Sequence, residues 1–198
     1  MLASHVIFGA YGFWLPNDQR GSWSDFVGSW ELFRYGRATK TSETRSLAGR
    51  PHDHHRRLAA NSALRRDAVV FNEAQIRAVA AGFADYAERS AVKVAACAIL
   101  RDHVHLVLVR HRLAPEQLAI QFKGAATRKL VELGLHPFPA DGRPPKCFAR
   151  GEWKVFLDTE EDVWRAIRYV EENPLKEGLP SQDWEFVVPY LAKPGRGR

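Results

Sequence analysis

The stretch Val92-Lys93-Val94-Ala95-Ala96-Cys97-Ala98-Ile99-Leu100-Arg101-Asp102-His103-Val104-His105-Leu106-Val107-Leu108-Val109 decides the fold. Two apolar runs, Val92 to Leu100 and Val104 to Val109, are separated at Arg101-Asp102 and read as a β-hairpin. Side chains alternate across a strand, so His103 and His105 leave one face with Val107 and Val109, while Val104, Leu106 and Leu108 leave the other. Two imidazoles thus stand together near the start of the second strand. The arrangement suits chelation, because imidazole is a common metal ligand and a strand holds the pair rigidly. Two ligands do not complete a metal site, and the same pair also suits two histidines making ordinary hydrogen bonds on a half-buried strand.

Upstream, Ala74, Ile76, Val79, Ala80, Phe83 and Ala87 are spaced for an amphipathic helix over Asn72 to Arg89, with Asn72 as its cap. His5 to Tyr11 is rich in β-branched and aromatic residues and reads as a first strand. Between them, residues 16 to 70 lack a sustained period. So long a connection in a compact domain is expected to be functional or locally folded. Downstream, Pro115 to Leu133 is a helix closed by Gly134, Pro137 to Arg150 a proline-rich loop, and Trp153 to Leu157 a strand. A third helix starts at Asp158-Thr159, with Thr159 and Asp162 in capping-box spacing, and is expected to end at Pro174. The order predicts an α+β fold: a ferredoxin-like βαββαβ antiparallel sheet with an added C-terminal helix.

At 198 residues, 45% hydrophobic and 26% charged, the chain has the composition of a globular protein and the length of one domain, with an insertion over about 16 to 70 and a flexible basic tail over about 193 to 198. The formal charge of +6 and pI near 9.5 favour an anionic partner, although a solvated surface with a mild basic excess has the same signature. Cys97 and Cys147 are too few for a disulfide framework or a cysteine zinc site, and Cys97 reads as a small buried side chain. Val6 to Leu15 is a poor signal peptide and no run approaches transmembrane length, so a cytoplasmic protein without membrane association is expected.

On the third helix, Val163, Ala166, Ile167 and Val170 form the apolar stripe, which leaves Tyr169 and Asn173 together on a flank, one turn apart. A lone helical tyrosine is usually a packing residue with a tethered hydroxyl. The combination is more specific. Asp102-His103-Val104-His105-Leu106-Val107-Leu108 resembles the His-hydrophobic-His strand of the single-tyrosine HUH transposases, and Ile167-Arg168-Tyr169-Val170-Glu171-Glu172-Asn173-Pro174-Leu175 looks like the nucleophile helix of their REP-associated tyrosine transposase branch. The resemblance runs from about Val92 to Leu179. The long 16 to 70 segment and Arg101-Asp102 depart from it.

The resemblance implies His103 and His105 as metal ligands, Asn173 as a third ligand and Tyr169 as the nucleophile. It implies cleavage and transfer of single-stranded or hairpin DNA through a 5′-phosphotyrosine intermediate, by a monomer or homodimer acting on the nucleoid. Two imidazoles and an amide oxygen, with no thiolate, suit Mg²⁺ or Mn²⁺, and no nucleotide cofactor is needed. Metal-dependent activity is expected to fall below about pH 6.5, the ordinary histidine value. Arg20, Trp23 and Arg34, with Trp30, Phe33, Tyr35 and Arg37, are candidate DNA contacts, or simply pack the insertion onto the domain. Lys123, Arg128 and Arg168 are further candidates, and Lys123, Arg165, Arg168 and Lys176 are placed to steady the phenolate or the phosphate, or are solvated helix charges. His52-Asp53-His54-His55 is a rival ligand cluster that reads better as a solvated or DNA-facing segment. A domesticated, non-catalytic DNA-binding regulator and a ferredoxin-like RNA-processing enzyme are the competing functions.

Overall fold

The structure is a computed structural model that describes residues 1–13, 54–139 and 142–191. Most of the insertion, including Arg20, Trp23, Trp30, Phe33, Arg34, Tyr35 and Arg37, therefore lies outside the described residues, as do His52, Asp53 and the 193 to 198 tail.

In chain order the elements are β1 (Ala3–Gly9), α1 (His54–Ser62), α2 (Glu73–Ser90), β2 (Val94–Ile99), β3 (His103–Val109), α3 (Pro115–Glu132), β4 (Trp153–Leu157) and α4 (Glu160–Lys176). The strands form one antiparallel sheet in the order β2-β3-β1-β4, the ferredoxin-like arrangement expected from the sequence. The element absent from that expectation is α1, whose Arg- and His-rich sequence carries too few apolar residues to set up a helical period.

Strand alternation divides the core into two layers. Val6 and Phe8 of β1, with Val104, Leu106 and Leu108 of β3, face α2 and α3. Phe83 on α2 meets Phe122 on α3 edge to face, with ring centres 5.1 Å apart. The two helices close up at Gly82, where a Cβ would lie 2.8 Å from the Ala125 carbonyl oxygen and from Ala126 Cα. On the other face α4 lays Val163, Ala166, Ile167 and Val170 onto Ala3, Val107 and the small side chains of Ala95, Ala96 and Ala98. A register shift between Val94 and Ala96 turns both Ala95 and Ala96 toward α4. The alanine floor lets this helix lie close to the sheet.

Several boundaries differ from the sequence reading by one or two residues. β1 begins two residues earlier and ends two earlier, because it is the central strand, is buried along its whole length, and so carries no alternation to mark its ends. β2 begins at Val94, two residues later than expected, whereas β3 begins at His103, on the strand as the alternation requires, and His103 pairs with Gly9. α4 does not stop at Pro174 but runs to Lys176, because a proline in the last turn forfeits only its own bond to the carbonyl four residues back. The Glu177 amide closes the turn on the Asn173 carbonyl. The edge of β2 is covered by the C-terminal segment: the Gln182 amide pairs with both N–H and C=O of Ile99, and the Val188 amide donates to the Val94 carbonyl.

Candidate functional site

His103 and His105 stand on the α4 face of β3, as the alternation of that strand requires, and both are buried. Asp102 Oδ1 lies 2.7 Å from His103 Nδ1. An ionised carboxylate can only accept, so Nδ1 of His103 carries the hydrogen and donates it. Phe13 stacks on the same imidazole at 4.8 Å with planes 13° apart, in space that a Cβ at Gly9 would occupy. The Arg101-Asp102 departure from the resemblance thus supplies the carboxylate that orients the first histidine.

His105 is anchored by a residue that sequence reasoning missed. His105 pairs with Ile7 across β1, and His5, two residues back on the same face, reaches over so that its Nε2 lies 3.0 Å from His105 Nδ1. The two rings stack at 5.2 Å. Three imidazoles are therefore gathered on this face, with His103 and His105 ring centres 4.9 Å apart. Burial lowers the pKa of His105 well below the ordinary value, helped by the neighbouring His103 and His5, and burial alone brings His5 down to about 4. Both stay neutral near pH 7, the form that binds a cation. With each Nδ1 engaged, Nε2 of His103 and of His105 takes no hydrogen bond from any described residue.

Tyr169 stands over this group. Its ring centre lies 5.7 Å from that of His105 and 5.9 Å from that of His5, both edge to face, and the residue remains 46% exposed. It is a flank residue, as its helical position requires. Lys176 Nζ sits 5.2 Å from the Tyr169 ring centre, tethered by Glu172 at 2.9 Å. Asn173 is buried, 6% exposed, and its Nδ2 donates to the Tyr169 carbonyl at 3.4 Å, which leaves Oδ1 without a hydrogen bond among the described residues.

The other candidates are scattered. Lys123 belongs to the opposite layer: its Nζ lies over Phe8, donates to the carbonyls of Ala149 and Gly151, and faces Glu152 at 3.7 Å. Burial lowers its pKa, against the pull of Glu152. Arg128 is exposed on α3, in a charged groove that also contains Asp85, Glu88 and Glu132. Arg165 is exposed and paired with Glu161 and Asp162, and Arg168 is exposed on α4. His55 is exposed on α1, and no group of three or more His, Cys, Asp or Glu residues among those described is arranged to hold a metal.

No family model matches this chain, and no curated protein matches it in sequence. Among solved structures, the chain is similar to a REP-associated tyrosine transposase bound to a REP hairpin, with 12% identity and a TM-score of 0.47 over 93% of this chain and 74% of that one. No helix of the described residues is long and apolar enough to cross a membrane.

Proposed function

We propose that this chain is a metal-dependent DNA transesterase that cleaves and rejoins single strands through a covalent bond to Tyr169. The observation that carries this reading is the half-exposed Tyr169 ring standing over His105, on the sheet face where His103 and His105 each have Nδ1 engaged and Nε2 without a hydrogen bond from any described residue. The motifs Asp102 to Leu108 and Ile167 to Leu175 supply the chemical class.

By chemical type the donors suit a divalent ion. His103 and His105 would contribute Nε2 and Asn173 its Oδ1, a set without thiolate that leaves positions for phosphate oxygens and suits Mg²⁺ or Mn²⁺. The chemistry such an ion supplies when bound is neutralisation of charge on the scissile phosphate. The Tyr169 oxygen attacks phosphorus in line with the 3′ oxygen of the upstream nucleotide. One P–O bond forms and one breaks, the phenol proton is lost to solvent or a base, and the leaving 3′ oxygen takes up a proton. The products are a 5′-phosphotyrosine and a free 3′-hydroxyl. The ester energy is retained, so a 3′-hydroxyl can attack the adduct, release Tyr169 and join strands without a nucleotide cofactor. Lys176, beside the phenol ring, provides positive charge where the anionic adduct forms.

Incubating the protein with hairpin-containing single-stranded DNA and Mn²⁺ tests the reading. With the DNA labelled at its 3′ end, a labelled band at the mass of the protein is expected on a denaturing gel. It should vanish with chelator and in Tyr169→Phe. An adduct that persists in Tyr169→Phe would remove Tyr169 as nucleophile, binding without an adduct on any DNA would favour the regulator, and cleavage confined to RNA would favour the RNA-processing enzyme.

A further inference from the structure

We infer that His5 is a positioning residue for the metal site, accepting a hydrogen bond from His105 Nδ1 and so committing Nε2 of His105 to the ion. The inference rests on the metal-site reading above and extends it to a third strand residue.

A neutral imidazole has one N–H, and the nitrogen without hydrogen holds the lone pair that a cation needs. For His103 the Asp102 carboxylate settles the matter, because it can only accept from Nδ1. His105 has no carboxylate beside Nδ1; it has His5 Nε2 at 3.0 Å. Two arrangements satisfy that bond. If His5 donates, His105 must carry its own hydrogen on Nε2, which then has no lone pair to offer a cation. If His105 donates, its Nε2 keeps its lone pair, as that of His103 does. Only the second arrangement makes the two histidines a chelating pair.

The location of His5 argues for such a role. It lies on the central strand, on the face shared with Ala3 and Ile7, and all three are buried. A buried polar side chain costs free energy unless it is hydrogen-bonded, and an aliphatic residue would fill this place without that cost. While its Nε2 is occupied by His105, that nitrogen is not available as a ligand. Outer partners of metal-bound histidines typically change metal affinity by about 10- to 100-fold when removed.

The test compares wild type with His5→Leu, which deletes the acceptor, and His5→Gln, whose amide oxygen takes the place of Nε2. In the metal-free protein, ¹⁵N NMR of the imidazoles should show His105 with its hydrogen on Nδ1 in wild type and in His5→Gln. Mn²⁺ titration calorimetry should show roughly 10- to 100-fold weaker binding in His5→Leu, with most of the affinity restored in His5→Gln. A wild-type His105 with its hydrogen on Nε2, wild-type affinity in His5→Leu, or a His5→Gln as weak as His5→Leu would each overturn the inference. Should His5→Leu fail to fold, the wild-type NMR and the His5→Gln affinity still decide. Mn²⁺ binding that depends on His103 and not on His5 removes this inference alone, whereas a wild-type protein that binds no Mn²⁺ removes the metal-site reading with it.

Discussion

The hydrogen bond between His5 and His105 joins two imidazoles that burial keeps neutral, and that has a consequence for stability. An unfolded histidine titrates near 6.5, whereas folded His5 titrates near 4 and folded His105 well below its ordinary value. Between those limits the unfolded chain binds protons that the folded chain refuses. Stability is therefore whole above about pH 6.5 and falls as the pH drops toward 4, by roughly 3 kcal/mol from His5 alone. Urea denaturation of the metal-free protein at pH 7 and pH 4 should show at least that loss, reduced in His5→Gln; equal stability at the two values would contradict the buried pair. The shared faces of His103 with His105 and of Tyr169 with Asn173 were legible because each pair lies within one element, where period fixes the face; the roles proposed for them come from the resemblance of the two motifs. His5 was not legible, because it meets His105 only through strand pairing, 100 residues away in sequence. The available signal was a single polar side chain at every-second spacing from Ala3 and Ile7, opposite in direction to Val6 and Phe8.

At the scale of elements, sequence period located, among the described residues, the three longer helices and the four strands to within about two residues, the usual uncertainty at element ends. Asn72 caps α2 in a capping box with Gln75, and Thr159 caps α4 through the Asp162 amide. What period cannot show is an end made in an unusual conformation. α2 stops at Ala91, which is left-handed at φ 55°, a place that normally selects glycine. The Cβ there costs about 1–2 kcal/mol, part of which the greater freedom of an unfolded glycine would offset. Ala91→Gly should therefore raise stability by up to about 1 kcal/mol, seen as a higher thermal midpoint, and a lower midpoint would show that the strain is absent. The extension of α4 past Pro174 was missed for a related reason: proline forbids its own bond but does not undo the turn already formed.

Across the described residues the sheet separates one packing layer from the face that carries the candidate site. α2 and α3 fill one layer, and α4 carries Tyr169 over the histidines on the other. Lys123 belongs to the first layer and ties α3 to the segment before β4 through the carbonyls of Ala149 and Gly151. Replacing it with methionine should leave those carbonyls and Glu152 unpartnered and cost about 1–3 kcal/mol of stability. Single-stranded DNA affinity, measured at a temperature where both proteins are folded, should change little. A large loss of DNA affinity without a loss of stability would instead place Lys123 in the DNA path. The division into layers followed from strand alternation in the sequence, whereas the insertion between β1 and α2 offered no period to read beyond its length.

The Tyr169 oxygen is the proposed point at which DNA joins the protein. Peptide mass spectrometry of the protein after incubation with single-stranded DNA and Mn²⁺, followed by nuclease and protease digestion, measures that bond directly. We expect a nucleotide 5′-phosphate attached to Tyr169 in the peptide containing Asn173, and none when chelator is present. The same nucleotide mass on another residue, or an adduct formed equally well with chelator, would contradict the account.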